Sequence, residues 1–276
     1  MKLPNLSESM YVARLRYIQS IHEPSERRNP DTLVRHFIPL VQRWRSAWLG
    51  RDDLNRLRAQ PFYHYLVART KYYDDVVRDA VADGVGRIVI VGCGSDTRAY
   101  RFQPLLAKTG VRVLECDQPQ AIQIKQRMIR KWSRVENVTY LPIDLNDDSW
   151  PEFERWLGES PKTKTLVLME GVSVYVNTAS FTRFLRFLAT QLCVGSHLAY
   201  DYKIRGVSDD EGRVGRTLDP FRLPAGRDDV TAFHQQRGLR LEHFELSSDL
   251  TVRLLTNLAS NAPLFSEDGL VRLLVA

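Results

Sequence analysis

The chain has 276 residues, 43% hydrophobic and 26% charged, with a formal net charge of +6, which suits one compact α/β domain with an addition. Three scattered cysteines, Cys93, Cys116 and Cys193, exclude a disulfide framework and a C-x-x-C zinc site and point to a reducing, cytoplasmic setting. The opening MKLPNLSESMYVARL lacks a secretory apolar run, and no segment approaches the roughly 20 apolar residues of a membrane span.

Up to residue 84 the patterns are helical. Ser7 can cap a helix carrying Met10, Val12, Leu15 and Ile18 to about Ile21, and Asp31 a second with Leu33, Phe37, Leu40 and Val41. A third comes after Gln60, with Pro61 in its first turn and Tyr65, Leu66, Tyr73, Val76 and Val77 on its way to Gly84. Arg27, Arg28, Arg43, Arg45 and Arg51 hold much of the basic excess. Interleaved acids make them solvated helix surface rather than a nucleic-acid stripe, and an anionic small substrate suits the same charge.

From Arg87 strand and helix alternate. Strands are expected at 87–91, 111–116, 137–141, 164–169, 195–202, 239–246 and 270–275, and helices near 97–106, 118–132, 149–157, 178–192, 228–237 and 249–260. This implies a seven-stranded, mostly parallel, Rossmann-like sheet covered on both faces. The division is a helical cap, 1–84, and an α/β domain, 85–276, forming one unit. The polar stretch 206–229 is a mobile loop or small lid beside the site.

In such a sheet the ligand lies beyond the carboxyl ends of the strands, where strand order reverses. Polar or glycine residues stand at five strand ends: Gly92 and Gly94, Glu115 and Asp117, Asp144, Glu170, and Asp201. The two glycines permit a sharp turn against a ligand, while Asp96 or Thr97 suits a helix cap. Glu115 or Asp117 is placed to accept both protons of a ribose diol. A dinucleotide fingerprint needs a third glycine, for a pyrophosphate, where this chain has Thr97 beside Asp96. A sulfonium cofactor brings no phosphate to that helix end, so S-adenosylmethionine is favoured. Asp144 suits an adenine amino group or a helix cap.

The runs VGCGSDTRAYRF, LECDQP, PIDLNDD and LVLMEGVSVYV, with NPDTLVRHF and VARTKYYDDVVRDAV ahead of them, together resemble the leucine carboxyl methyltransferase family of S-adenosylmethionine-dependent enzymes. That family includes protein phosphatase methyltransferases and bacterial polyketide carboxyl methyltransferases. The resemblance runs from about residue 29 to the end and implies the class I methyltransferase fold. It also implies that Arg69 binds the methionine carboxylate of the cofactor, that Gly92 and Gly94 form the turn along it, and that Asp117, rather than Glu115, holds the ribose. Asp144 and Leu145 would stand at the adenine, Glu170 at the methionine amino group, and Tyr175 beside the methyl.

The leading expectation is thus an O-methyltransferase that esterifies a carboxylate of a small natural-product acceptor in secondary metabolism. It needs no metal and no base, since a carboxylate with a pKa near 4 is already ionised at pH 7. A hydroxyl acceptor, a protein C-terminal carboxylate, a nicotinamide oxidoreductase and a nucleic-acid module are the alternatives. His36 and His64 are expected to be structural more than catalytic, and His197, Cys93 and Cys116 to be packing. Tyr63, Tyr65, Tyr72, Tyr73 and Trp48 are aromatics that either line the acceptor pocket or, for the most part, build core.

Overall fold

The computed structural model describes residues 5–130, 135–207, 219–259 and 261–276. Its sheet contains β1 (Arg87–Val91), β2 (Arg112–Asp117), β3 (Val138–Pro142), β4 (Thr165–Met169), β5 (His197–Ile204), the two-residue β6 (Arg222–Leu223), β7 (Leu239–Leu246) and β8 (Asp268–Val275). Strand order is β3-β2-β1-β4-β5-β8-β7, with β6 paired to β5. Strands β1 to β5 are mutually parallel and β8 runs antiparallel between β5 and β7. The expected α/β sheet is present, with the short β6 added to the seven strands anticipated.

Both faces are covered, which is why β1 and β4 are buried along their whole length. Alternation sorts the side chains. Val89, Val91 and Val167 join one core with Phe153, Phe181, Phe184 and Leu188 from α8 (Pro151–Gly158) and α9 (Thr178–Gln191). Ile88, Ile90, Leu166 and Leu168 join the other, with Tyr73, Val76 and Val77 of α4 (Pro61–Ala82). Helix α4 therefore belongs to the cover of the sheet. Arg87, 1% exposed, is accommodated because its guanidinium donates to the Leu157 carbonyl at the end of α8 (2.9 Å) and to Thr165 Oγ1 (3.1 Å).

The N-terminal elements differ in detail from expectation. Helix α1 (Asn5–His22) begins ahead of Ser7, which lies in its first turn rather than before it. Asp31 does cap, accepting the Val34 N–H at 3.0 Å, but the element it caps is a 3₁₀ turn, Leu33–Phe37. Pro39 lacks an N–H to continue that turn, and α2 (Leu40–Ala47) starts afresh after it. A further helix, α3 (Arg51–Arg58), is additional. The segment expected near 97–106 is two short helices, α5 (Arg98–Arg101) and α6 (Gln103–Thr109). Helix α7 (Pro119–Ile129) stops short of 132, and positions 131–134 lie outside the described residues. Helix α10 is Arg227–Gln235, and α11 is Ser247–Leu254 instead of 249–260. Of the 206–229 loop, 208–218 lie outside the described residues. The remainder carries β6 and the start of α10.

Candidate active site

Strand order reverses between β1 and β4, and a cavity of about 790 Å³ opens at the carboxyl ends there. Arg69, Gly92, Gly94, Asp117, Asp144, Leu145, Glu170 and Tyr175 all line it. Glu115 does not; it is fully buried, 2.7 Å from Lys125 Nζ and accepting from Tyr100 Oη at 2.8 Å. The two acids, only two positions apart on β2, thus have separate uses.

The turn after β1 requires glycine at Gly92. Its φ is +67°, and a Cβ there would overlap Val172 Cγ2. Gly94 donates its N–H to Asp117 Oδ2 at 2.8 Å, and Gln118 N–H donates to Oδ1, also at 2.8 Å. Each oxygen keeps a second lone pair. Burial pushes the Asp117 carboxyl up, against the pull of those N–H groups. Asp144 Oδ1 accepts from Asn146 N–H at 2.9 Å, and Leu145 is buried beside it.

Asp96, rather than Thr97, bonds the next turn, accepting the Arg98 N–H at 2.7 Å and pairing with the Arg98 guanidinium. Thr97 Oγ1 donates to Asp31 instead. Glu170 is flanked by two guanidinium groups, Arg98 Nη1 at 2.8 Å and Arg69 Nε at 3.1 Å. Burial disfavours its charge, but the two arginines outweigh burial and hold the carboxyl below its usual range. Arg69 Nη1 also donates to Asp201 at 3.0 Å, and Asp201 accepts the Gly171 N–H at 2.6 Å. Burial nonetheless pushes Asp201 up to about 6. Among the described residues neither Arg69 Nε, 3.1 Å from Glu170 Oε1, nor Arg69 Nη2 makes a hydrogen bond.

Helix α1 walls the cavity through Glu8, Ser9, Met10, Val12, Ala13 and Arg16. Arg16 Nη2 donates to the Ser95 carbonyl at 3.0 Å and its Nη1 lies 3.0 Å from Asp31, tying the helix to the glycine turn. Tyr175 Oη donates to Glu8 Oε2 at 2.6 Å. The sequence pattern does not reveal Glu8 and Arg16 as site residues; an amphipathic period says which face of α1 is apolar but not what stands opposite it. Most of the anticipated aromatics are core, as expected, and none of the five lines the cavity among the described residues. Tyr63, Tyr65, Tyr72 and Tyr73 are core, Trp48 is 76% exposed, and the rings on the cavity are Phe37, Phe62 and Tyr175 with Tyr202. His64 bonds the Arg58 carbonyl at 2.9 Å, and His197 pairs with Glu242 at 3.3 Å. Cys93 and Cys116 are buried, Cys93 at the cavity wall.

An open sheet of this order, with a glycine turn after β1 and acids at the ends of β2 to β4, defines the class I methyltransferases. The crystal structure of magnesium protoporphyrin IX methyltransferase from Synechocystis with bound S-adenosylmethionine shares the fold, at TM-score 0.51 and 13% identity over 99% of this chain and 95% of that one. The sequence pattern of leucine carboxyl methyltransferases matches residues 9–189, and the chain belongs to that family of S-adenosylmethionine-dependent methyltransferases. Relatives provisionally named S-adenosyl-L-methionine-dependent methyltransferases occur in Streptomyces avermitilis (29% identity; 73% of this chain, 70% of the relative) and Streptomyces coelicolor (30%; 71% and 68%). Another, in Mycolicibacterium smegmatis, is 34% identical over 68% of this chain and 63% of its own length.

Proposed function

We propose that the chain is an O-methyltransferase that forms a methyl ester on a carboxylate of a small acceptor. The observation that carries the reading is the distribution of residues around one cavity. The glycine turn after β1 and the acids at the ends of β2 to β4 line one part, and the same volume is also lined by Met10, Val12, Phe37, Phe62 and Val176.

The residues fit the cofactor. Asp117, with a free lone pair on each oxygen, would accept from the ribose hydroxyls. Asp144 and Leu145 would border the adenine. Glu170, kept ionised by Arg69 and Arg98, would accept from the methionine ammonium, and Arg69 Nη2 would donate to the methionine carboxylate. When bound, S-adenosylmethionine supplies a sulfonium methyl that a carboxylate oxygen takes by displacement, the electron pair of the broken C–S bond staying on sulfur. The protein then has to orient the acceptor and strip its water. Helix α1, held over the cavity by the Glu8–Tyr175 bond, serves both ends.

Among the described residues no histidine lines the cavity, which favours an acceptor that arrives ionised. A hydroxyl acceptor is the second reading, favoured by the Glu8 carboxylate beside Tyr175, which could take a proton. Incubation with methyl-labelled S-adenosylmethionine and a set of monocarboxylic acids separates the two. An ester releases its label as methanol in mild alkali; label that stays through alkali on an ether would overturn the carboxylate reading.

A further inference from the structure

Among the described residues five cations line the cavity: Arg16, Arg69, Lys125, Lys203 and Arg222. Four are answered by acids. Arg16 lies 3.0 Å from Asp31, Arg69 3.0 Å from Asp201, Lys125 2.7 Å from Glu115 and Lys203 2.7 Å from Asp268. Arg222 has no acid within salt-bridge distance among the described residues, and its Nε is buried without a hydrogen-bond partner. A buried guanidinium N–H with no acceptor is costly unless something else supplies one.

The backbone around Arg222 is fixed. Phe221 donates its N–H to the Val176 carbonyl at 3.0 Å, one residue after Tyr175. Arg205 N–H donates to the Leu223 carbonyl at 2.9 Å, and Tyr202 Oη to the Pro224 carbonyl at 3.1 Å. In register, Arg222 stands opposite Lys203 across the parallel β5–β6 pair. Arg222, the cavity cation without an acid partner among the described residues, is thus mounted on the β5 side of Tyr175, away from the acids of β2 and β3 assigned above to the adenosine.

We infer that Arg222 is the anion seat of the acceptor, recognising a carboxylate on a small, largely apolar molecule. This rests on the methyltransferase reading above and adds the residue that would select the acceptor. Lys203 cannot take the role in its place, because Asp268 and Glu267, at 2.7 and 3.3 Å, already neutralise it. A guanidinium presents paired donors that match the two oxygens of a carboxylate, whereas a neutral amide of the same shape offers one acceptor and no charge.

The test uses the full chain loaded with S-adenosylhomocysteine and four probes by calorimetry: octanoate and 4-phenylbutanoate, with octanamide and 4-phenylbutanamide as uncharged matches. The wild type is expected to bind each acid at least about tenfold tighter than its amide. Arg222→Ala should erase that ratio and Arg222→Lys should keep part of it, with S-adenosylhomocysteine affinity within about twofold throughout. A wild type without the preference, or a preference that survives Arg222→Ala, overturns the assignment. Labelled transfer keeps the two readings apart. Ester formation with an acid-to-amide ratio indifferent to Arg222 overturns the seat alone. Arg222-dependent binding of acids with alkali-stable label on a hydroxyl supports the seat and overturns the ester.

Discussion

Tyr175 Oη donates to Glu8 Oε2 at 2.6 Å, joining residues 167 positions apart and fastening the first helix to the loop after β4. Further along the helix, Arg16 reaches Ser95, and Gln19 Nε2 reaches the Tyr63 carbonyl at 2.7 Å. Among the described residues the first half of α1 is held by that hydroxyl and by Tyr11 Oη, which donates to Gln60 Oε1 at 3.2 Å, and it is the end that covers the proposed methyl-transfer point.

Tyr175→Phe removes that hydroxyl and leaves the ring. Hydrogen exchange should then quicken in the first half of α1 and stay slow around Gln19, and S-adenosylhomocysteine should dissociate several-fold faster. Unchanged exchange in the variant would show that the bond does not hold the helix.

Asp117→Ala removes the proposed ribose acceptor together with the acceptor of the Gly94 and Gln118 N–H groups. Calorimetry should show S-adenosylhomocysteine affinity falling by about tenfold or more, since hydrogen bonds to a charged group contribute about 1.5–3 kcal/mol each. Cys93→Ser, a change in a buried side chain whose neighbouring bonds run through its backbone, should leave affinity nearly intact. Equal affinities in the two variants would contradict the site.

Gly92→Ala puts a side chain at φ +67° and against Val172. The left-handed conformation alone costs on the order of 1–2 kcal/mol, and the overlap adds to it. The variant should melt at a lower temperature. In a Val172→Ala background the same change should cost less, because only the backbone part remains. An equal penalty in both backgrounds would rule out the overlap.

Asp96 gives a pH signature. Burial pushes its carboxyl up, but the Arg98 guanidinium and N–H outweigh burial and hold it down at about 2. An unfolded aspartate titrates near 3.9. The folded value is depressed, so the stabilisation, on the order of 2 kcal/mol, is complete above about pH 4 and is lost as pH falls toward 2. The melting-temperature gap between wild type and Asp96→Asn should therefore be widest at pH 6 and narrow between pH 4 and pH 3. A gap that widens on acidification would refute the assignment.

Features written in local signals were legible in the sequence. The run RIVIV is β1 to the residue, because a strand covered on both faces shows as an unbroken apolar run, here Ile88 to Val91. Gly92, Asp117, Asp144 and Glu170 were legible because strand ends of a parallel sheet converge on one rim. Helix α3 was not, since RDDLNRLR carries only Leu54 and Leu57 as apolar markers. The pairing of Arg69 with Glu170 and Asp201 was hidden too: its partners lie on β4 and β5, and no periodicity in α4 marks a contact made across the fold. Arg222 carries no signal of its own because β6 is two residues long, too short for alternation to show.

The most direct measurement of the central claim is a crystal structure of the chain with S-adenosylhomocysteine. The account predicts the ligand along the ends of β1 to β4, both ribose hydroxyls within hydrogen-bonding distance of Asp117 and the amino group at Glu170. A ligand bound outside this cavity, or a ribose facing away from Asp117, would contradict it.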